Sequence, residues 1–292
     1  MAFSSAEFRR VCTEADAKRD AGLTTPDDVE RSNDIPYGAD EKWQILDVYR
    51  PKNAKNEKLP VIVSVHGGGW VYGTKETYQF YCMDLAQRGF AVVNFNYRLA
   101  PENKFPAAVQ DTNSVFEWVV SNSEKYGFDL ERVFAVGDSA GAQNLAIFAC
   151  AVENGTYASK LGITPPKGLK LRALGLNCGL YDLRKPVTKD MGFIPEALEN
   201  GGTAEELELM SPAAFMTGAF PPSYLLSSNC DFLKKQTRQL DKTLKKLGVE
   251  HETRIYGSVN KRLYHVFHCN IKTKDAKRAN DDECAFFKRI LQ

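Results

Sequence analysis

Residues 133–141 read Val133-Phe134-Ala135-Val136-Gly137-Asp138-Ser139-Ala140-Gly141. The apolar, β-branched start of this stretch, Val133–Val136, predicts a buried strand. Gly137–Gly141 follows at once and fits the pattern G-x-S-x-G, in which a serine occupies a tight turn between a strand and a helix. Glycine at both ends removes side chains that would collide with neighbouring backbone. Because helical sequence follows over Ala142–Glu153, the stretch predicts a strand–turn–helix unit with Ser139 as a candidate nucleophile.

Strand-like and helix-like segments alternate on both sides of this unit. Further strands are predicted at residues 44–49, 60–65, 90–95, 171–176, 223–227 and 252–256. Further helices are predicted at residues 76–88, 106–126, 232–247 and 281–291. The alternation predicts an α/β fold with a mainly parallel central sheet and helices on both faces, in which 44–49 is an edge strand. Such sheets bind ligands at the carboxyl ends of their strands, so functional residues are expected in the loops that follow the strands.

Composition and charge narrow the class of protein. The 292 residues suit one large domain or two small ones, and 38 basic against 37 acidic residues leave a formal net charge of +1. This balance gives no reason to expect nucleic acid or an anionic membrane surface as a partner. The start of the chain lacks the apolar core of a signal peptide, and no segment has the ~18 uncharged apolar residues of a membrane span. We therefore expect a cytoplasmic protein, and the sequence leaves open whether it forms a homo-oligomer.

The cysteine pattern argues against a metal site. The seven cysteines are scattered and form no C-x-x-C pair, and none of the four histidines lies at ligand spacing from a cysteine. This pattern predicts free thiols in a reducing compartment rather than zinc ligands or disulfides. No metal and no organic cofactor are expected.

A second glycine-rich stretch, His66-Gly67-Gly68-Gly69-Trp70, directly follows the predicted strand that ends at Val65. Consecutive glycines let several backbone N–H groups turn toward one point, which is how an oxyanion hole is built. We expect these donors to come from Gly67, Gly68 and, after the nucleophile, Ala140. His66 lies at the strand end behind the glycines and is expected to be structural.

A catalytic acid should follow the serine along the chain, and a base should follow the acid. Asp231 comes just after the predicted strand 223–227, where such an acid belongs, although it could instead cap the helix 232–247. Asp182 is a competing acid. Asp138 flanks the nucleophile and is not expected to reach the base.

Three histidines follow Ser139 and compete for the role of base. His251 precedes the strand 252–256 and so lies at the wrong end of the sheet. His265 and His268 both lie in the loop after that strand, at the expected catalytic end. Spacing alone leaves both of these histidines open.

Four motifs occur in an order that resembles the hormone-sensitive-lipase-like carboxylesterases. They are His66–Trp70, Tyr97-Arg98-Leu99-Ala100-Pro101-Glu102, Gly137–Gly141 and Asp231-Phe232-Leu233. The segment Leu46-Asp47-Val48-Tyr49-Arg50-Pro51 is similar to the related kynurenine formamidase and feruloyl or acetyl-xylan esterase branches. The resemblance covers roughly residues 45–290 and implies an α/β-hydrolase fold with a serine esterase site.

The resemblance also bears on the base. In this family the base usually occurs in a His-Gly-Phe segment, which corresponds here to His265-Val266-Phe267, so the resemblance implies His265. Valine replaces the glycine, and His268 stays an alternative. The usual Asp-x-Leu-x-Asp segment reads Asp231–Lys235 without its second acid, which is not a triad member, so Asp231 is kept.

A cap over the site is a further implication of the resemblance. Its candidate segments are residues 1–40 and 178–220, within one domain that spans residues 1–292. The second segment contains seven large apolar residues that either line an acyl pocket or pack the cap onto the sheet: Tyr181, Met191, Phe193, Met210, Phe215, Met216 and Phe220.

Together these features predict a serine carboxylesterase that hydrolyses short-chain acyl esters through Ser139, His265 and Asp231 and an acyl-enzyme. Because no segment shows a large exposed apolar face, soluble small-molecule esters are favoured over lipids at an interface. Three alternatives stay open: an acetyl-xylan or feruloyl esterase acting on acylated oligosaccharides, an arylformamidase with the same triad, and a non-catalytic binding protein on the same fold.

Overall fold

Eight strands form one sheet in the computed structural model, which describes residues 4–54, 57–184 and 192–292. The strands are β1 (Val29–Pro36), β2 (Ile45–Pro51), β3 (Leu59–Val65), β4 (Ala91–Phe95), β5 (Phe128–Asp138), β6 (Leu171–Asn177), β7 (Ser223–Ser228) and β8 (His251–Tyr256). Their order across the sheet is β1-β2-β4-β3-β5-β6-β7-β8. Strands β4, β3, β5, β6, β7 and β8 pair in parallel, which confirms the predicted mainly parallel sheet.

Nine α-helices lie in the described part of the chain. They are α1 (Ser5–Asp20), α2 (Lys75–Ala86), α3 (Ala107–Ser121), α4 (Ser123–Tyr126), α5 (Ala140–Glu153), α6 (Gly155–Leu161), α7 (Ala204–Leu209), α8 (Lys234–Leu247) and α9 (Lys274–Ile290). The predicted helix 106–126 is in fact two helices, α3 and α4, which meet at Asn122. The sequence did not predict α1, α6 or α7.

The edge of the sheet differs from the prediction. Strand β1 pairs antiparallel with β2, with Val29 opposite Pro51, so the segment predicted as an edge strand lies one place inside the edge. The reason is that β1 is mostly polar and only Val29 among its residues is buried, so it has no apolar pattern to identify it. A short polar strand of this kind is suited to a sheet edge, where backbone hydrogen bonds rather than burial hold it.

Helices cover both faces of the sheet, each over its own apolar core. On one face, Val61 and Val63 of β3 pack with residues of α3, α5 and α8. On the other face, Ile62 packs with residues of α2 and α9 such as Phe287. Because side chains alternate along a strand, β3, whose residues are apolar except for Ser64, supplies both cores.

A third apolar cluster lies beyond the carboxyl ends of the strands. It contains Trp70, Ala140, Leu180, Phe193 and Leu233, contributed by the loops after several strands, and Phe8 of α1 packs against it. The loops are therefore fixed by packing at the edge where a ligand site is expected. No helix among the described residues combines the length and the apolar character that a membrane crossing needs. The cytoplasmic location stays a prediction.

The stacked pair Phe116 and Phe148 gives a direct test of the core that supports α5. Their rings are 4.5 Å apart and both side chains are fully buried. We expect Phe148→Ala to lower the free energy of unfolding by about 3–5 kcal/mol, because it leaves a cavity behind the helix. Urea denaturation measures this loss. The matched control is Phe232→Ala, which removes a ring that is 53% exposed and should change stability by about 0.5 kcal/mol or less; equal losses would contradict the assignment of this core.

Candidate active site

The turn between β5 and α5 holds Ser139 in a strained conformation. Its backbone has φ 52° and ψ −117°, a region that residues other than glycine rarely adopt, and its N–H donates to the carbonyl of Asn177 at 2.9 Å. A Cβ on Gly137 would lie 2.7 Å from the carbonyl carbon of Gly141, and a Cβ on Gly141 would lie 2.0 Å from the carbonyl oxygen of Val65. Neither position therefore has room for a side chain, as the motif predicted.

The structure brings Ser139, His265 and Asp231 into one chain of hydrogen bonds. The Ser139 hydroxyl lies 3.0 Å from Nε2 of His265, and Nδ1 of the same ring lies 2.7 Å from Oδ1 of Asp231. Asp231 comes three residues after β7, and His265 lies in the loop after β8. This order of nucleophile, imidazole and carboxylate is the arrangement that activates a serine for attack on a carbonyl carbon.

Hydrogen bonds hold the Asp231 carboxylate in its ionised form. Burial would raise its pKa, but donors at His265, at the Ser227 hydroxyl (2.6 Å) and at the Leu233 N–H (2.9 Å) outweigh burial and lower it. The N-cap residue of α8 is Leu233 and no side chain of the described residues caps this helix, so the Leu233 contact forms a turn just before α8. Of the two roles that the sequence left as alternatives for Asp231, the structure shows the contact with the imidazole and not the helix cap.

The other candidate acids and bases lie elsewhere. His268 is fully buried, its Nε2 lies 3.6 Å from Sγ of Cys269, and burial lowers its pKa to about 3. His251 begins β8, as predicted, with Nδ1 2.8 Å from the carbonyl of Val249. Asp182 forms an ion pair with Arg184 at 2.9 Å. Of the two histidines in the loop after β8, His265 is the one that contacts Ser139.

The glycine loop after β3 curves tightly beside Ser139. Gly68, Gly69 and Trp70 all have positive φ, at 118°, 59° and 65°. Within the described residues neither Gly68 nor Gly69 donates its N–H to another group, and the N–H of Ala140 is the first of α5 and so has no partner inside the helix. Three free donors therefore lie on the two segments that flank the serine.

Gly67 does not agree with the prediction that it is an oxyanion donor. Its N–H donates to the hydroxyl of Tyr78 at 3.0 Å, so this donor already has a partner. Nothing in the residues around Gly67 predicts this contact, because Tyr78 lies on α2, eleven residues further along the chain. His66 is fully buried, with its imidazole stacked 4.0 Å from the ring of Tyr97 and Nδ1 2.8 Å from the carbonyl of Gly67, in keeping with the expected structural role.

A cavity of about 510 Å³ opens beside Ser139. Its walls come from α1, the glycine loop, the start of α8 and the loop after β8, and they include Phe8, Val11, Cys12, Ala15, Asp16, Arg19, Gly68, Gly69, Tyr72, Tyr78, Asp138, Phe193, Phe232, His265 and Val266. The rings of Phe8 and Phe193 lie 4.8 Å apart on one wall. Most of the lining is apolar, which suits a small organic ligand.

Helix α1 forms one wall of this cavity and was not predicted from the sequence. Arg9 fastens it by donating to the carbonyls of Val71 (2.6 Å) and Ala100 (2.8 Å) and by pairing with Glu102 at 2.6 Å. One signal for this helix is present in the sequence, since the Ser4 hydroxyl accepts from the N–H of Glu7 in the S-x-x-E pattern of a helix start.

The seven apolar residues of segment 178–220 do not share one location. Phe193 lines the cavity at Ser139, and Met191 lies outside the described residues. Phe215, Met216 and Phe220 line a different cavity. Tyr181 and Met210 are buried in the core. The acyl-pocket interpretation is therefore carried by Phe193 alone among the described members.

Among the residues that the structure describes, two groups of three side chains could offer ligand atoms to a metal ion. They are Asp138, His268 and Cys269, and Cys178, Asp231 and His265, with the ligand atoms of each group within 4.8 Å of one another. The second group shares two residues with the hydrogen-bond chain at Ser139, where Asp231 and His265 already bind each other. Asp138 accepts from Tyr78 at 2.8 Å. The expectation that no metal is needed stays a prediction.

Several known proteins of similar sequence or structure are named as esterases. Esterase LipI of Mycobacterium tuberculosis (strain ATCC 25618 / H37Rv) is 38% identical over 220 residues, which are 70% of this chain and 66% of LipI. Esterase LipC of the same strain is 30% identical over 128 residues, 44% of this chain and 32% of LipC. The chain thus spans less than two thirds of the length of these curated relatives.

Among solved structures, a crystal structure of Esterase B from Lactobacillus Rhamnosis inhibited by a C4-C4 SN3 tributyrin phosphonate is similar over most of the chain. The TM-score is 0.89 with 26% identity, and the match covers 98% of this chain and 94% of that one. The eight-stranded sheet and the serine turn, taken with this likeness, define an α/β-hydrolase. The BD-FAE family model matches residues 46–244, and the chain belongs to that family.

The space requirement at Gly141 is open to a direct test. We expect Gly141→Ala to destabilise the fold by about 1–3 kcal/mol or more, because the new methyl group would collide with the backbone of β3. Thermal unfolding measures the effect. Gly155→Ala is the matched control, since nothing lies within 4 Å of the added Cβ and stability should change by about 1 kcal/mol or less. A Gly141→Ala protein as stable as this control would contradict the tight turn.

Proposed function

We propose that this chain is a carboxylic-ester hydrolase in which Ser139 is the nucleophile. The observation that carries the proposal is the hydrogen-bond chain from Ser139 through His265 to Asp231. As the Ser139 oxygen attacks the ester carbonyl carbon, Nε2 of His265 takes the hydroxyl proton, and the Asp231 carboxylate stabilises the imidazolium that forms. His265 then returns the proton to the leaving alcohol oxygen. Water repeats the sequence on the acyl-enzyme and releases the acid.

The negative charge on the former carbonyl oxygen needs donors in place before the reaction. In this proposal the N–H groups of Gly68 and Ala140 hold it, as the sequence predicts, and the N–H of Gly69 takes the part first expected of Gly67. Two observations support this assignment. The N–H groups of Gly68 and Gly69 have no other acceptor among the described residues. The start of α5, which carries the N–H of Ala140, is directed at the same oxygen position. Losing one such donor typically lowers the rate by roughly 100- to 1000-fold.

The substrate we propose is a small-molecule ester with a short acyl chain. The cavity of about 510 Å³ is closed on one side by Phe8 and Phe193, and the Phe193 ring lies 2.7 Å from where a Cβ on Gly69 would be. An acyl group attached to Ser139 beside this loop therefore meets an aromatic wall. The similar Esterase B was inhibited by a tributyrin phosphonate with C4 chains, which is consistent with a short chain here.

The cap belongs to the same proposal. Helix α1 from the first candidate segment and Phe193 from the second line the cavity, whereas residues 29–36 of the first segment lie in β1 of the sheet. We infer that α1 and the segment after residue 192 act as a cap within one domain spanning residues 1–292. The fixed contacts of Arg9 favour a cap that stays closed over the acyl side.

An esterase for acylated oligosaccharides is a second candidate. The BD-FAE match begins at residue 46, at the segment Leu46–Pro51 that resembles the feruloyl and acetyl-xylan esterase branches. Parallel kinetics on p-nitrophenyl acetate, acetylated xylo-oligosaccharides and a formyl amide separate this candidate and an arylformamidase from a general esterase. A kcat/KM that is highest for the oligosaccharide or for the formyl amide would replace the first proposal.

The nucleophile and the base are tested together. We expect Ser139→Ala and His265→Gln each to lower kcat on p-nitrophenyl acetate by roughly a million-fold, since triad members act as a unit. His268→Gln is the control, because His268 lies in the same loop but is buried and has its Nε2 beside Cys269 instead of Ser139; folded protein should keep most of its kcat. A fluorophosphonate probe should label the wild type and not Ser139→Ala. Full activity after Ser139→Ala would exclude this mechanism.

The acyl-chain limit is tested at Phe193. We expect Phe193→Ala to move the preferred p-nitrophenyl ester from acetate or butyrate toward longer acyl chains, because a ring is removed from the cavity wall. Each further methylene group that the cavity then buries contributes roughly 0.8 kcal/mol of binding free energy. Phe220→Ala is the matched control, since Phe220 is also buried but lines a different cavity. An unchanged chain-length profile in Phe193→Ala would refute the assigned wall.

A further inference from the structure

The Tyr78 hydroxyl joins the glycine loop to the residue that precedes the nucleophile. It accepts the N–H of Gly67 at 3.0 Å and donates to Oδ2 of Asp138 at 2.8 Å. A tyrosine hydroxyl has one proton, so the two contacts fix their own directions: the proton goes to the carboxylate and the oxygen accepts the amide. Both Tyr78 and Asp138 are buried, at 6% and 3% exposure.

Space around Gly67 is fitted to these two side chains. A Cβ on Gly67 would lie 2.5 Å from Oδ2 of Asp138 and 3.0 Å from the Tyr78 hydroxyl. Gly67 has no positive φ, unlike Gly68 and Gly69, so its small size serves this close approach rather than the turn itself. The carboxylate and the hydroxyl thus close around one peptide group with no room for a side chain.

The glycine loop needs such a contact from outside. Consecutive glycines are the residues with the most backbone freedom, and the N–H groups of Gly68 and Gly69 have no partner of their own among the described residues. The N–H of Gly68 belongs to the next peptide plane, and only the φ and ψ rotations of Gly67 separate that plane from the amide that Tyr78 holds. Asp138 and Tyr78 crowd the Cα of Gly67, so these rotations are restricted as well. Asp138 precedes Ser139 and Ala140 in the chain, so the same hydroxyl ties the loop to the other side of the proposed oxyanion site.

We propose that Tyr78 and Asp138 are positioning residues that set the direction of the oxyanion donors. The inference rests on the proposed esterase function and extends it to two residues that line the cavity at Ser139 but hydrogen-bond to Gly67 and to each other, not to the Ser139, His265 or Asp231 side chains, in the described part of the chain. Burial raises the pKa of Asp138 to about 6, against the hydrogen bond from Tyr78, so the fold keeps a carboxylate where burial disfavours its charge. A misplaced catalytic group typically lowers a rate by about 100-fold for a 1 Å error, which sets the scale of the effect.

The test removes the bridging hydroxyl alone. We expect Tyr78→Phe to lower kcat on p-nitrophenyl acetate by roughly 10- to 100-fold with KM changed by about twofold or less, since the donors act on the transition state. Tyr81→Phe is the matched control: Tyr81 is a buried tyrosine on the same helix, but its hydroxyl donates to Glu283 at 3.3 Å instead of meeting the glycine loop. It should keep kcat within about threefold of the wild type.

Two further measurements separate positioning from loss of fold. Binding of a trifluoromethyl ketone, which forms a tetrahedral oxyanion on the serine, should weaken in Tyr78→Phe by about the same factor as kcat/KM falls. In a double-mutant cycle, Asp138→Ala added to Tyr78→Phe should lower kcat little further, because one chain of contacts is already broken.

If Tyr78→Phe and Tyr81→Phe lose equal activity, or if kcat falls while inhibitor binding is unchanged, or if the two effects in the cycle simply add, the positioning role is wrong. These results leave the proposed function in place as long as Ser139→Ala abolishes hydrolysis. A wild-type protein that hydrolyses no ester would instead remove the proposed function itself.

Discussion

The close approach of α5 to the end of β3 is the constraint on which the site depends. The Cα of Gly141 lies so near the carbonyl oxygen of Val65 that a methyl group there would be 2.0 Å from it. This contact turns the chain sharply after β5, holds Ser139 at φ 52° and directs its side chain away from the sheet. It also brings the free N–H of Ala140 beside the glycine loop that follows β3. The proposed nucleophile and the proposed oxyanion donors therefore depend on one backbone contact.

Features coded by neighbouring residues were predictable, and features coded by distant ones were not. The strand–turn–helix unit at Ser139 follows from nine consecutive residues, because glycine spacing and apolar runs act locally. Strand β1 (Val29–Pro36) is held by backbone pairing and has a mostly polar sequence. Hydrophobic periodicity therefore does not predict it. Half of the residues of helix α1, which lines the cavity, are charged, so its readable signals are few. They are the helix start at Ser4 and one short apolar stripe at helical spacing, Phe8, Val11, Cys12 and Ala15.

The same distinction applies to the proposed base and to the glycine loop. His265 and His268 are three residues apart, so spacing left both open and a family resemblance alone favoured His265. In the folded chain one imidazole lies beside Ser139 and the other is enclosed in the core. The glycine run around Gly67 predicts that its N–H is an oxyanion donor. Its actual hydrogen-bond partner, Tyr78, lies eleven residues further along the chain, on α2. Helix prediction gives the existence of α2, and only the packed structure gives the direction in which the hydroxyl points.

Two buried carboxylates near His265 differ in what surrounds them. Asp231 accepts from the imidazole, from the Ser227 hydroxyl and from the Leu233 N–H, and these donors lower its pKa despite burial. At Asp138 burial is deeper, outweighs the donors and raises the pKa. Burial and hydrogen bonding together therefore separate the two carboxylates, and such differences in surroundings can give two carboxyl groups of one site different tasks. Asp231 is suited to orient the imidazole, and Asp138 is suited to hold the glycine loop through a neutral hydroxyl.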